Sequence, residues 1–171
     1  MTPDDLAKAV GSAAAQELLN ALDRIKHCVG QLSDEQVWWR SHPEMNSIGN
    51  LILHLCGNVR QWIISGIGGE EDKRHRQAEF DDRASYTRAE LLERLETTVR
   101  EADAVLGRVE PERLLEVKKV QGFDETVMSA MWHVVAHFEG HAHEIVYITR
   151  FLVREKYRFM FVPQNKVKGS V

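Results

Sequence analysis

AMWHVVAHFEGHAHEIVYITR, residues 130–150, is largely apolar, has no Pro and contains one Gly, Gly140. It places His133, His137 and His141 at i, i+4 and i+8, with His143 just beyond. Residues four apart lie on one face of a helix, one turn above the other. The spacing therefore predicts a long helix that offers neighbouring imidazoles to one metal ion.

Geometry limits how many of them can serve. Successive histidines at this spacing are about 6 Å apart along the axis, and the outer two roughly 12 Å. Metal–nitrogen bonds are only about 2.0–2.1 Å. Either His133 with His137 or His137 with His141 can share an ion, but a site needs a further ligand from another element. His54, alone in a second apolar helical segment, is the obvious donor.

The 171 residues fit one domain, 1–171, with a sizeable core. Twenty-two basic against 26 acidic residues leave a net charge of −4, which argues against a general nucleic-acid surface. Cys28 and Cys56 lie in apolar helical segments, the usual setting of inert buried thiols, and form no disulfide framework. MTPDDLAKAV lacks the basic-then-apolar pattern of a signal peptide, and no apolar run reaches membrane-spanning length. A reducing cytoplasm is the expected compartment.

Along the chain, Thr2-Pro3-Asp4-Asp5 opens a first helix, because Pro suits the first turn and early carboxylates complement the helix dipole. Its core stripe is Leu18, Leu22, Ile25 and Val29, and Gly30 stops it. Ser33 to Gln36 reads as a capping box opening a short helix that carries Trp38 and Trp39, core or pocket-wall residues. After a break at Ser41 to Glu44, Asn46 or Ser47 caps a second long helix that runs to about Ser65. Ile48, Leu51, Ile52, Leu55, Val59, Trp62 and Ile63 form its apolar face. His54 borders that face on a strip shared with Asn50 and Asn58.

Residues 70–85, EEDKRHRQAEFDDRAS, read as an irregular charged link, with Lys73 to Arg76 a solvated surface flanked by acids. Thr87 to Glu90 is another capping box, and Leu91, Leu95, Val99, Ala102 and Leu106 face the core. Residues 114–123 predict a short extended piece or hairpin before the last helix. Asp124 or Thr126 caps that helix, which continues to about Arg154. Beyond it, an aromatic extended segment docks back and the final residues are mobile. Four amphipathic helices around one core predict an all-α, four-helix bundle with a short extended segment before the last helix.

Several metal motifs are excluded. Phe138 separates His137 from Glu139, so there is no HExxH; helix two lacks the Glu-x-x-His pairs of a di-iron bundle; the two cysteines are too far apart for a zinc finger. What remains is a mononuclear three-imidazole site built on His54. Such a ligand set suits Zn, Ni, Cu or Fe and leaves positions open for water or substrate, as in catalytic sites. Glu139 or Glu144 either orients an imidazole and moves a proton or lies on the solvated face. Ligand imidazoles must be unprotonated, so metal affinity is expected to fall as pH drops through about 6.5.

NSIGNLILHLCGNVRQWI (46–63) followed by HVVAHFEGHAHEIVYITR (133–150) resembles the DinB/YfiT-like superfamily of bacterial metalloenzymes. The resemblance extends to Trp38-Trp39 and to the RxRxxEF-like segment from Arg74 to Phe80. It implies a four-helix bundle holding a divalent metal by one His of helix two and an H-x-x-x-H pair of helix four. Carried over, these fall on His54, His137 and His141, selecting the second pair. Where relatives often have Gly-Gln-Ile after that pair, this chain has His143-Glu144-Ile145. The resemblance further implies a homodimer and thiol-dependent S-transfer with bacillithiol, mycothiol or glutathione, or isomerisation using such a thiol.

The leading expectation is thus a cytoplasmic metal-dependent enzyme, with Zn or Ni ahead of Fe or Cu. It would transfer a low-molecular-weight thiol to a small electrophilic substrate, with neither nucleic acid nor membrane as partner. The alternatives are a non-catalytic metal-binding or sensing bundle, and a metal-free dimer whose imidazoles are structural. Roles for His133 and His143 are left open.

Overall fold

A computed structural model describes residues 2–161, and these are mostly helical. The four long helices begin where side-chain oxygens can take up the unpaired amides of the first turn. Helix α1 (Pro3–Val29) starts at a Thr2/Asp5 capping box and α2 (Asp34–Val37) at Ser33/Gln36. Ser47 with Asn50 opens α3 (Ile48–Val59), so Ser47 rather than Asn46 is the cap. A short α4 (Arg76–Asp81) follows, then α5 (Arg88–Leu106) from a Thr87/Glu90 box. The last helix, α6 (Val127–Val153), is capped by Thr126, whose hydroxyl accepts from the Ser129 amide at 3.1 Å.

Helix α3 does not stop at its final α-helical turn. It continues in wide π-helical turns over Arg60–Ile67, with the Gly68 amide reaching back to the Ile63 carbonyl at 2.8 Å. The sequence carries no signal for that widening. Between α5 and α6, Val117–Val120 and Phe123–Thr126 form a hairpin, β1 and β2, that starts and ends three residues later than the expected 114–123 and pairs Val117 with Thr126 and Val120 with Phe123. Its two-residue turn, Gln121-Gly122, has φ of 53° and 86°, the paired left-handed conformation that matches strand twist.

Helix α1 packs against α5 and α6, and α3 packs against the same two, so each long helix has two long neighbours. Gly11 lets α1 come close to the end of α5: a Cβ there would lie 2.4 Å from the Leu106 carbonyl oxygen. Leu18, Leu22, Ile25, Leu51, Ile52, Leu55, Leu95, Val99, Phe138 and Ile145 lie in one buried cluster. Each such side chain contributes about 1.5–3 kcal/mol on burial. This packing holds α3 and α6 against each other at the level of the histidines.

Two expectations about the links need restating. Residues 70–85 are not uniformly a solvated surface: they include α4, and the Arg74 side chain is only 4% exposed. The segment after α6 does dock, with the Arg158 amide donating to Gln31 Oε1 at 2.7 Å and Tyr157 Oη 3.8 Å from Cys28 Sγ. The expected mobile end falls on residues 162–171, outside the described residues. No helix among the described residues is long and apolar enough to cross a membrane.

Candidate metal centre

Helices α3 and α6 meet antiparallel along their histidine-bearing faces. His54 lies against His137 and His141, while Trp62, two turns later on α3, stacks on His133, two turns earlier on α6, with centroids 4.1 Å apart. One nitrogen from each of His54, His137 and His141 lies within 4.8 Å of the other two. His54 Nε2 and His137 Nε2 are 2.9 Å apart. The two helices therefore bring together the three residues expected from sequence.

His133 and His143 lie elsewhere. The first is occupied by the Trp62 ring and is exposed; the second, also exposed, turns its Nδ1 to the Glu139 carbonyl at 2.9 Å. The glutamates divide too. Glu144 Oε2 lies 2.8 Å from Nδ1 of His141, whereas Glu139 is paired with Arg24 of α1. Of the two carboxylates expected near the site, only Glu144 contacts a member of the triad.

Sequence reading missed Glu79. Its Oε2 lies 3.0 Å from Nδ1 of His54, and its side chain is 11% exposed. Arg74 grips that carboxylate in a fork, Nε to Oε1 at 2.7 Å and Nη2 to Oε2 at 2.8 Å, and donates to Gln61 Oε1 at 2.8 Å. Phe80 closes the same side, its ring centroid 4.9 Å from that of His54, with the Arg76 guanidinium stacked over it. Asn50, one turn before His54, ties down the segment by donating to the Glu79 carbonyl at 2.8 Å. The RxRxxEF-like segment thus converges on one imidazole. Gly57 makes the room: a Cβ there would lie 1.9 Å from Glu79 Oε1.

Burial works against ionisation at this centre, and partners decide where it is overcome. It pushes the Glu79 carboxyl up, but the hydrogen bonds and charges of Arg74 and His54 hold it below the ordinary value. His137 has no such carboxylate: burial, then the neighbouring His141 and His54, lower it to about 4. It is therefore neutral at pH 7 with a lone pair to give. Metal loss through this ligand's protonation should accordingly begin well below the 6.5 of a free imidazole.

A stability prediction follows for the metal-free protein. The unfolded chain takes up the His137 proton near 6.5 and the folded chain near 4, so the unfolded state binds more protons in between. This contribution is fully present above about 6.5 and is lost as pH falls towards about 4, amounting to roughly 2–3 kcal/mol. Urea unfolding in a chelator at pH 7 and 4.5 measures it. His137→Gln should flatten that part of the profile.

The donor set fits a transition-metal ion. Ligand atoms sharing an ion at about 2.0–2.1 Å lie about 3–4 Å apart, comparable to the separations here. Two of the three imidazoles have a carboxylate behind Nδ1, the usual partner of a metal-ligating histidine. A cavity of about 610 Å³ lies on the other side of this brace, between α3 and α5, lined by Gly57, Arg74, Glu79, Arg94 and Thr98. It borders the support of His54 and not the converging nitrogens.

Comparison with known proteins places the chain. Several solved structures share its fold. One is a conserved protein from Enterococcus faecalis, with a TM-score of 0.67 and 15% identity over 82% of this chain and 95% of that one. Another is a DinB-like protein from Bacillus cereus, at 0.66 and 12% over 81% and 90%. Residues 6–166 match the family described as "Protein of unknown function (DUF1572)". The chain belongs to the DUF1572 family. The fold shared with a DinB-like protein is in keeping with the resemblance carried by residues 46–63 and 133–150. No match is found among curated proteins.

Proposed function

We propose that residues 1–171 form a single DinB-type four-helix bundle in which His54, His137 and His141 hold one divalent transition metal, Zn or Ni first. The observation that carries this is the convergence of three imidazole nitrogens from α3 and α6 within 4.8 Å. When bound, such an ion supplies Lewis-acid chemistry and lowers the pKa of a water or thiol in an open position.

The reaction class we put first is transfer of a low-molecular-weight thiol to a small electrophile in a reducing cytoplasm. The chain's own thiols favour an external nucleophile. Cys28 is buried at the tail contact with Tyr157, and burial pushes the Cys56 thiol up to about 12. Neither belongs to the triad. His54 and His141, each backed by a carboxylate, keep their geometry through a reaction, while Phe80 shields one flank from water.

Elemental analysis of tag-free protein is the first test, with about one Zn or Ni per chain expected; absence of metal would end this reading. Metal-loaded protein is then assayed with bacillithiol, mycothiol and glutathione against model electrophiles. Stoichiometric metal without turnover would leave a binding or sensing protein and remove the transferase.

We also propose a homodimer through α6. Its outer face carries Met128, Trp132, Ala136, Gly140, Tyr147 and Phe151, all exposed, with large apolar groups at both ends and small residues between. Trp132→Glu should convert a dimer to a monomer in sedimentation velocity. A monomeric wild-type chain at tens of micromolar would count against it.

A further inference from the structure

The proposal here rests on the metal reading of the site and concerns what prepares it. A neutral imidazole has one N–H and one lone pair, and the partner of one nitrogen decides which role the other plays. A carboxylate only accepts, so a carboxylate at Nδ1 selects the Nδ1–H form and leaves the Nε2 lone pair free. Glu79 Oε2 is 3.0 Å from Nδ1 of His54, and Glu144 Oε2 is 2.8 Å from Nδ1 of His141.

Arg74 complicates the His54 case. Its Nη2 lies 3.1 Å from the same Nδ1, and a guanidinium only donates, so that contact favours the opposite tautomer. Two facts decide between them. Three of the five Arg74 N–H groups, one of them on Nη2, are engaged by the Glu79 oxygens and Gln61, and a lone pair on Nδ1 would face the anionic Oε2 at the shorter distance of 3.0 Å, where an Nδ1–H donates to it instead. The Arg74 side chain therefore holds Glu79 still, and Glu79 sets His54. Asn50 fixes the backbone of that glutamate, and Gly57 leaves the space its carboxylate fills.

We propose that Glu79, locked by Arg74, is a positioning residue that presets His54 as its Nδ1–H tautomer with Nε2 presented to the metal. Glu144 does the same for His141. His137 is the ligand that adapts, because its Nδ1 has no hydrogen-bond partner among the described residues. With His54 set this way, the 2.9 Å contact makes His137 Nε2–H the donor to His54 Nε2 in the metal-free chain. On loading, the Nε2 proton would pass to solvent and His137 Nδ1 would take one from solvent, leaving the imidazole neutral.

The experiment compares wild type, Glu79→Gln and Glu79→Ala in two readouts. Imidazole ¹⁵N correlation spectra of metal-free protein, assigned with a His54→Gln control, report the tautomer. Chelator competition with Zn²⁺ reports affinity. Wild type should show His54 protonated at Nδ1 before any metal is added. Affinity should fall by about tenfold in Glu79→Gln and by up to about 100-fold in Glu79→Ala. Where Glu79→Ala fails to fold by circular dichroism, Glu79→Gln decides. A wild-type His54 protonated at Nε2, or folded variants that bind Zn²⁺ like wild type, would overturn the proposal. Wild type that binds no Zn²⁺ would instead overturn the metal reading, leaving the tautomer spectrum to judge the positioning by itself.

Discussion

Replacing His137 or His141 by Ala is expected to weaken Zn²⁺ binding by more than about 100-fold, while His133→Ala changes it by less than about threefold. Loss of a residue that only supports a ligand typically costs 10–100-fold, so loss of the ligand itself must cost more. The contrast between His133 and His137 gives the prediction its force. Both sit on α6 one turn apart, and spacing alone treats them alike. In the structure the His133 ring is stacked on Trp62, whereas His137 faces His54 at 2.9 Å. Chelator competition on the three variants measures the difference, with circular dichroism to establish that each is folded. Equal losses in His133→Ala and His137→Ala would mean that the ion, if any, sits elsewhere on α6.

The second large effect is on stability. Arg74→Ala should lower the unfolding free energy of the metal-free protein by about 3–5 kcal/mol, because it leaves the Glu79 carboxylate buried without its counter-charge. The side chains of the pair are 4% and 11% exposed, so water cannot replace the lost partner cheaply. The midpoint of thermal unfolding should drop by roughly 10 °C at this chain length. Surface pairs give the control. Lys73 with Glu71, 76% exposed on both sides, should contribute under about 1 kcal/mol, so Lys73→Ala should unfold within a degree or two of wild type. Comparable losses in the two variants would show that residues 72–79 are not packed as described.

Much of this architecture was legible before any coordinates. Helix starts follow capping chemistry local to four residues, so Ser33, Ser47, Thr87 and Thr126 announce themselves. Apolar faces follow from the helical period, and the stripe on residues 48–63 is buried as read. The meeting of His54 with His137 and His141 is where spacing on one helix joins the resemblance to DinB-like proteins. Spacing restricts the choice to two pairs, and the resemblance picks one of them.

What stayed hidden is the charged link. In EEDKRHRQAEFDDRAS, polarity cannot say which charge turns inward, because a buried ion pair and a solvated one use the same residues. Arg74 and Glu79 are buried by partners distant in sequence, Gln61 and His54. The usable hints were Gly57, beside the polar strip of α3, and the RxRxxEF-like segment marked by the resemblance. The π-helical turns over Arg60–Ile67 had no such marker.

The missing side chain at position 57 carries an evolutionary consequence. Any lineage that acquires a methyl group there must retract the acid at 79, and one that loses the acid is released to fill the gap. Across homologues these two sites should change in concert, leaving a paired historical trace that can be sought without purifying any protein.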